Sequence, residues 1–489
     1  MGYGEAAAGD HLQLGWAFWL PGHQLGNGGA PWVDPYSFRP EAKAGPNLQG
    51  WLFGAPFWPL RHLLGNIWAY NLIVLLSFVT AGGVACWWLR SLGLVRSAAL
   101  VGGLVFALAP YRVGQSTGHL LGLIAFLLPA VLLALERRRF VWAAIALAAI
   151  PLSGQIHLAM GAVILALGYA WARLPRSEWW KVGIAAGAAA AAAVVVQRVV
   201  VADSVVGRGR RFTEVEHYSA EISDLFTRSV GAGIEEFVFL GWLTPILALV
   251  GLWAIRGKRG LAVFLALAAV VPTVLALGAN VPLYEPLWRA FPPLRFARVP
   301  ERLMPIACLA IAALVGFAVA FVVNHYERTG ASRRSLPAAG LAVLLVVLAL
   351  DLRVPVFGAV TPDRGNAAYA AMRGNGRLFE LPVFSPGIHF GSVYLAYARQ
   401  SPRERPQGYS TTASLESVLL ARDLRGLSCG FGSLPPELGV RFVAVHRGLY
   451  RQSGWFGADC ADRAEAALRR AGWTLLARDG AISSWEAPR

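Results

Sequence analysis

Charge is scarce in this chain. Asp, Glu, Lys and Arg make up 15% of its 489 residues against 56% hydrophobic, and the mean hydropathy is +0.51. That balance excludes a soluble enzyme of this size. Cysteine is scarcer still, with four residues. Cys86 and Cys308 lie in apolar runs, and no CxxC or His/Cys spacing suggests a zinc or redox site. The opening MGYGEAAAGDHLQ lacks the basic start and continuous apolar core of a signal peptide. Charges deep within apolar segments and internal repeats are also wanting, which argues against a transporter. The net charge of +16 would suggest nucleic acid in a soluble protein. Here much of it lies at the ends of apolar segments, where it meets anionic lipid headgroups, so no nucleic-acid partner is expected.

What the chain has instead is long apolar runs. A bilayer core takes about 20 apolar residues per helix, because unpaired backbone groups are too costly in hydrocarbon. Ten stretches are expected to span: 67–89, 97–110, 118–135, 140–155, 157–173, 182–202, 237–255, 260–278, 303–323 and 336–353. Pro110 shortens the second, and Pro151 and Gly154 blur the join of the fourth and fifth. The turns after the odd-numbered spans are short and basic: Arg90 and Arg96, Arg137–Arg139, Arg173 with Arg176 and Lys181, Arg256 with Lys258 and Arg259, Arg328 with Arg333 and Arg334. Such turns are cytoplasmic by the positive-inside rule. The opposite loops also carry arginines, mixed with seven acids between Asp203 and Glu236 and with a Pro/Phe-rich stretch at 291–302. These arginines read as site residues, and both chain ends then lie outside a plasma (inner) membrane.

Three regions follow. Residues 1–66 form an extracytoplasmic first loop with interfacial helices, including a Trp/Phe-rich one at 51–66. Residues 67–353 form the transmembrane bundle, with outer loops 203–236 and 279–302. Residues 354–489 form an extracytoplasmic α/β or α+β domain. In that domain RLFELPVF (377–384), GSVYLAYA (391–398) and VRFVAVH (440–446) read as strands. DRAEAALRRA (462–471) reads as a helix and TLLARDGAISSWEA (474–487) as a hairpin turning at Asp479–Gly480. Cys429 and Cys460 are 31 residues apart. A disulfide is expected of them outside the cytoplasm, with two free thiols as the alternative.

Chemistry is expected on the outer face. Asp10, beside His11 and ahead of an aromatic stretch with His23 and Asp34, suits divalent-metal binding or proton abstraction from a hydroxyl. The alternative is an ordinary surface acid. Arg112, Gln115 and His119 stand where the third span begins, with His119 read as structural. In RGRRFTEVEHYSAEISDLF, Glu214 and Glu216 alternate along an extended chain, so that both face one side and His217 the other. They are either a second acidic point or salt-bridge partners of Arg208–Arg211, with Tyr218 alongside. In YEPLWRAFPPLRFARVPERL, which carries Arg295 and Glu301, Arg298 and Arg302 share one face of a helix beginning near Pro300. They suit a lipid phosphate or pyrophosphate; snorkelling at the interface is the competing explanation. Trp16, Trp32 and Trp51 are candidates for stacking on a sugar or prenyl chain, with interface anchoring as their default role.

The segments GDHLQLGWAFWLPGHQL with PWVDPYSF, RFTEVEHYSAEISDLF, FPPLRFARVPERLMP and GVRFVAVHRGLY resemble the polytopic GT-C glycosyltransferases and the related bacterial group that includes the YfhO-like proteins. The resemblance covers most of the chain through loose motifs. It implies a GT-C bundle that inverts the anomeric carbon of a sugar carried on polyprenyl phosphate and transfers it to a lipid-linked or glycan acceptor. Asp10 would then be the first-loop acid, a general base or a ligand of Mg2+ or Mn2+. Glu214 or Glu216 would be the later outer-loop acid, and Arg298 and Arg302 would hold the lipid phosphate, with His11, Asp34, Arg112, His119, Arg211, His217, Tyr218 and Arg295 lining the substrate. The family's first helix would precede Asp10, so an upstream span is expected, and the first loop departs from the pattern in having no paired acid. The alternative is a non-catalytic protein or a flippase of lipid-linked envelope precursors.

Overall fold

The computed structural model describes residues 5–43, 45–229, 234–328, 335–358, 361 and 364–488. They divide into two compact units, one of 1–73, 197–208 and 358–489 and the other of 74–196 and 209–357. The basic turn at Arg333 and Arg334 lies outside the described residues.

The second unit is helical. Among the described residues, five helices are long and apolar enough to cross a membrane: Trp51–Ser91, whose first part belongs to the other unit, Ile156–Arg173, Arg176–Val201, Arg259–Ala276 and Pro300–Tyr326. Shorter apolar helices cover Arg96–Ala107, Leu120–Glu136, Phe140–Leu152, Leu243–Ala254 and Ala339–Asp351. Local chemistry explains the breaks. Helix Arg96–Ala107 stops ahead of Pro110, which disfavours helical geometry in Ala109 before it. Gly154, at φ +77°, makes the left-handed turn between Phe140–Leu152 and Ile156–Arg173. The expected span 118–135 is itself divided, into Leu120–Ile124 and Leu127–Glu136.

The most enclosed of these helices runs from Met304 to Arg328 and packs against Arg96–Ala107, Leu243–Ala254 and Arg259–Ala276. Small residues let the backbones close in. A Cβ on Gly251 would stand 1.8 Å from the Leu314 carbonyl oxygen, and one on Gly102 would stand 2.9 Å from that of Ala312. Close backbone approach is how apolar helices associate where water supplies no driving force. Asp351 accepts hydrogen bonds from the backbone N–H groups of Trp242 and Leu243, both at 3.0 Å. It thereby satisfies orphan donors at the start of Leu243–Ala254.

The first unit joins the chain's beginning to its end. Helix Asp10–Gly26 carries Pro21, which has no N–H for the Ala17 carbonyl. Asn47 Nδ2 donates to that carbonyl instead, at 2.7 Å. Gly50 allows the approach, since a Cβ there would lie 2.0 Å from the same oxygen. Helix Trp51–Ser91 is broken at Gly65 (φ 78°, ψ 171°), one residue from the expected end of its Trp/Phe-rich first part.

Strands β1 (Val33–Asp34) and β2 (Gly45–Pro46) form a small antiparallel pair. A four-stranded sheet has the order β3 (Arg377–Leu381), β4 (Val440–His446), β6 (Ile482–Glu486), β5 (Thr474–Asp479). β3 runs parallel to β4, and the other pairs are antiparallel. Period-two alternation sorts β4 between two cores. Phe442 and Ala444 join Tyr369, Val393, Tyr397 and the N-terminal Ala6 and Leu12. Val443 and Val445 join Trp485, Leu468 and Cys460. Cys460 is disulfide-bonded to Cys429 and begins helix Cys460–Arg470.

One expected strand is corrected. GSVYLAYA forms helix Ser392–Ala398, in which every side chain is buried. With no polar face the helical period is invisible, and the aromatic and branched residues favour the strand reading until tertiary packing overrules it.

Candidate functional site

The candidate residues fall into both units, and each group has its own geometry. In the first unit Asp10 opens its helix and accepts a hydrogen bond from the Tyr409 hydroxyl. His11 Nε2 lies 3.3 Å from Thr361 Oγ1. Burial pushes the His11 imidazole below its ordinary pKa, with Asp10 opposing the shift and Arg399 reinforcing it. Asp34 is fully engaged by Trp16 Nε1 at 3.0 Å, the Tyr36 N–H at 2.9 Å and the Ser37 hydroxyl at 2.9 Å. Such a side chain holds a turn. Trp16 is buried, whereas Trp32 and Trp51 are exposed.

In the second unit, the helix Phe212–His217 replaces the expected extended chain. Residues two apart on a helix are about 200° apart, so Glu214 and Glu216 do not share a side. Glu214 turns to Arg210 (Nη1 to Oε2, 2.8 Å) and to the Arg211 N–H (3.4 Å), whereas Glu216 and His217 are exposed. Glu214 thus has the kind of arginine partner that the salt-bridge alternative named. Burial holds the Arg210 guanidinium below its ordinary pKa, with Glu214 opposing and Arg298 and Arg302 adding to the shift.

Arg112 is buried and directs its guanidinium to backbone: Nη1 to the Ala107 carbonyl at 2.7 Å, Nη2 to the Ser77 carbonyl at 2.9 Å. The Ala107 carbonyl stands at the end of its helix and would otherwise be an orphan, so Arg112 braces that end against the middle of helix Trp51–Ser91. His119 Nδ1 lies 2.5 Å from Gln115 Oε1, and Gln115 donates to the Ile234 carbonyl at 3.2 Å. Arg295 donates to the Arg289 carbonyl at 2.7 Å, and its own carbonyl accepts from the Arg210 N–H at 2.8 Å.

Arg298 and Arg302 do come together, though not along one helix face. Arg298 lies in the connection between the 3-10 turns Pro292–Phe296 and Pro300–Leu303, and Arg302 lies within the second turn. Both point one guanidinium nitrogen at the same oxygen, Glu235 Oε1, at 3.0 Å from Arg298 Nη2 and 3.5 Å from Arg302 Nη2. Arg298 also lies over the Tyr218 ring, 4.8 Å from its centroid, and donates to its hydroxyl at 3.4 Å. The result is a double-guanidinium grip on one oxyanion, immediately before the apolar helix that begins at Met304.

Sequence reasoning gave no role to two acids of these segments. Glu235 was one acid among seven in its loop. Glu301 is fully buried, and neither carboxylate oxygen has a hydrogen-bond partner among the described residues. The hydroxyls of Tyr111 and Tyr284 are likewise buried and unpaired. Glu301 directly precedes Arg302, and that adjacency was its one sequence signal.

Among the described residues, no group of three or more His, Cys, Asp and Glu gathers to hold a metal ion. No step below is routed through a metal ion.

No family model and no curated protein matches the chain. Among solved structures it is similar to the archaeal oligosaccharyltransferase AglB from Archaeoglobus fulgidus in complex with an inhibitory peptide and a dolichol-phosphate. The identity is 12% and the TM-score 0.39, with 99% of this chain and 71% of that chain covered. That likeness is too distant to carry an argument about this chain.

Proposed function

We propose that this chain is a GT-C-type inverting membrane glycosyltransferase that takes a sugar from a polyprenyl-phosphate carrier and transfers it to an extracytoplasmic lipid or glycan acceptor. The observation that carries the reading is the convergence of Arg298 and Arg302 on a single carboxylate oxygen at the head of an apolar helix. A prenyl phosphate has the matching shape, an oxyanion joined to a hydrocarbon tail.

The leaving group in such a reaction is already a phosphate. The acceptor oxygen attacks the anomeric carbon, the carbon–oxygen bond to phosphate breaks, and the electron pair departs with the phosphate. The chain must neutralise that charge, which suits the two guanidinium groups, and must take the acceptor's proton on a carboxylate. Glu214 belongs to the same unit as the arginines; Asp10, the acid the family resemblance favours, belongs to the other. The Cys429–Cys460 disulfide supports an extracytoplasmic position for the C-terminal region, since such bonds persist in oxidising compartments.

The test is turnover followed by mass spectrometry, with purified protein, extracted cell-envelope lipids and divalent cations. Consumption of a polyprenyl-phosphate sugar is expected, and Arg298→Ala and Arg302→Ala should each lower it at least tenfold. Loss in Asp10→Asn with activity kept in Glu214→Gln assigns the base to Asp10, and the reverse pattern assigns it to Glu214. Binding without consumption would replace the enzyme by a non-catalytic or flippase role.

A further inference from the structure

We propose that Glu235 occupies the place of a phosphate oxygen, and that phosphate binds by displacing this internal carboxylate from Arg298 and Arg302. The inference rests on the phosphate-binding reading above and adds to it the ligand that holds the site in the absence of substrate.

The geometry is that of a bound oxyanion. One oxygen, Glu235 Oε1, receives both guanidinium groups, at 3.0 and 3.5 Å. A carboxylate and a phosphate present the same acceptor to an arginine, so a site built for one holds the other. The contact is open to exchange. The side chains of Arg298 and Arg302 keep 24% and 28% of their surface exposed and Glu235 keeps 17%, unlike the sealed pair Arg405–Glu380 in the other unit, at 0% each.

Capacity to hold more charge than Glu235 brings is also present. Arg302 Nε and Arg210 Nε are buried donors with no hydrogen-bond partner among the described residues. The Arg210 side chain is nine-tenths buried, and its charge acts together with those of Arg298 and Arg302. Unmet buried donors of this kind are costly unless a ligand or water fills them. A phosphate offers more acceptor oxygens than the single one Glu235 presents here. Glu301, which directly precedes Arg302, is fully buried. Its burial keeps it from being displaced as Glu235 is.

Glu235 therefore sets the affinity of the site. With its negative charge in place, only a ligand that outcompetes an intramolecular carboxylate binds, which favours phosphate over the weakly held anions of bulk solution. Removing the charge while keeping the shape should tighten phosphate binding.

The experiment measures binding of undecaprenyl phosphate, and separately of inorganic phosphate, to the full chain in detergent by calorimetry. Wild type, Glu235→Gln, Arg298→Ala and Arg302→Ala are compared, with the melting temperature of each recorded. Glu235→Gln should bind about tenfold tighter than wild type, from the loss of a competing charge-assisted contact. Tightening for both ligands assigns the exchange to the phosphate group itself, and tightening for the lipid alone assigns the site to the headgroup of a membrane lipid. Unchanged or weaker binding in Glu235→Gln, with the arginine variants impaired, overturns the displacement and leaves the phosphate site standing. If the arginine variants bind as wild type does, the phosphate reading falls and the displacement with it.

Discussion

Arg112 shows how the same residue type serves opposite ends in one unit. Arg298 and Arg302 meet a carboxylate that retains some exposure, whereas Arg112 is sealed and spends its donors on two backbone carbonyls. Sequence placed all three among the substrate ligands, because an arginine at the mouth of an apolar segment carries no mark of which way it turns. Burial separates them. Arg112→Met should leave the carbonyl of Ala107 unpaired at its helix end at a cost of about 1–3 kcal/mol, seen as a lower melting temperature in detergent. The affinity of the folded fraction for undecaprenyl phosphate should stay at the wild-type value. A large loss of that affinity in stable Arg112→Met protein would return Arg112 to the binding site. Asp10 teaches a related lesson. Read as a loop acid it would be free of folding duties, but its bond from Tyr409 gives it a share in holding the N-terminal helix. A loss of activity in Asp10→Asn therefore has to be read beside its stability.

At the scale of elements, glycine governs how closely the apolar helices pack. Gly251 has the Leu314 backbone where a side chain would be, and backbone cannot rotate away as a side-chain tip can. Gly251→Val should force helices Leu243–Ala254 and Met304–Arg328 apart and destabilise the protein by about 1–3 kcal/mol, measured as melting temperature and as yield of monodisperse protein. A wild-type melting temperature would show that the two helices do not depend on this crossing. The apolar helices were legible in the sequence because each is a run of hydrophobic residues with a Pro, Gly or arginine at its end. The C-terminal hairpin was legible from Asp479–Gly480 and the alternation around it. Helix Ser392–Ala398 was not, since total burial erases the periodicity that would reveal it. The turn Phe212–His217 was misread for another reason: at six residues it is too short to display a helical period.

At the scale of the whole molecule, orientation is what charge in the loops decides. With Cys86 and Cys308 replaced and the disulfide retained, Arg137→Cys in the basic turn should react with a membrane-impermeant maleimide only after permeabilisation. Asp423→Cys, exposed in the C-terminal region, should react in intact cells. The opposite pattern would invert the topology. The sequence could not reveal which distant segments share a core. Nothing in GYGEAAAGD marks Glu5 as the partner of His446 (Oε2 to Nδ1, 2.8 Å) or of the Gly448 N–H at 2.6 Å. Nor does anything local tie Asn47 to Ala17, because that bond answers a vacancy that Pro21 creates four residues further along the helix.

The 441-residue separation of Glu5 and His446 also sets a timetable. At roughly 5–20 residues per second, a ribosome takes about 20–90 s to make the second after the first. Throughout that interval the opening helix, rich in tryptophan and phenylalanine, has been synthesised while strand β4 has not. Its protection in the nascent chain must come from a chaperone, the translocation machinery or the lipid surface, and the first unit can close only when translation is almost complete.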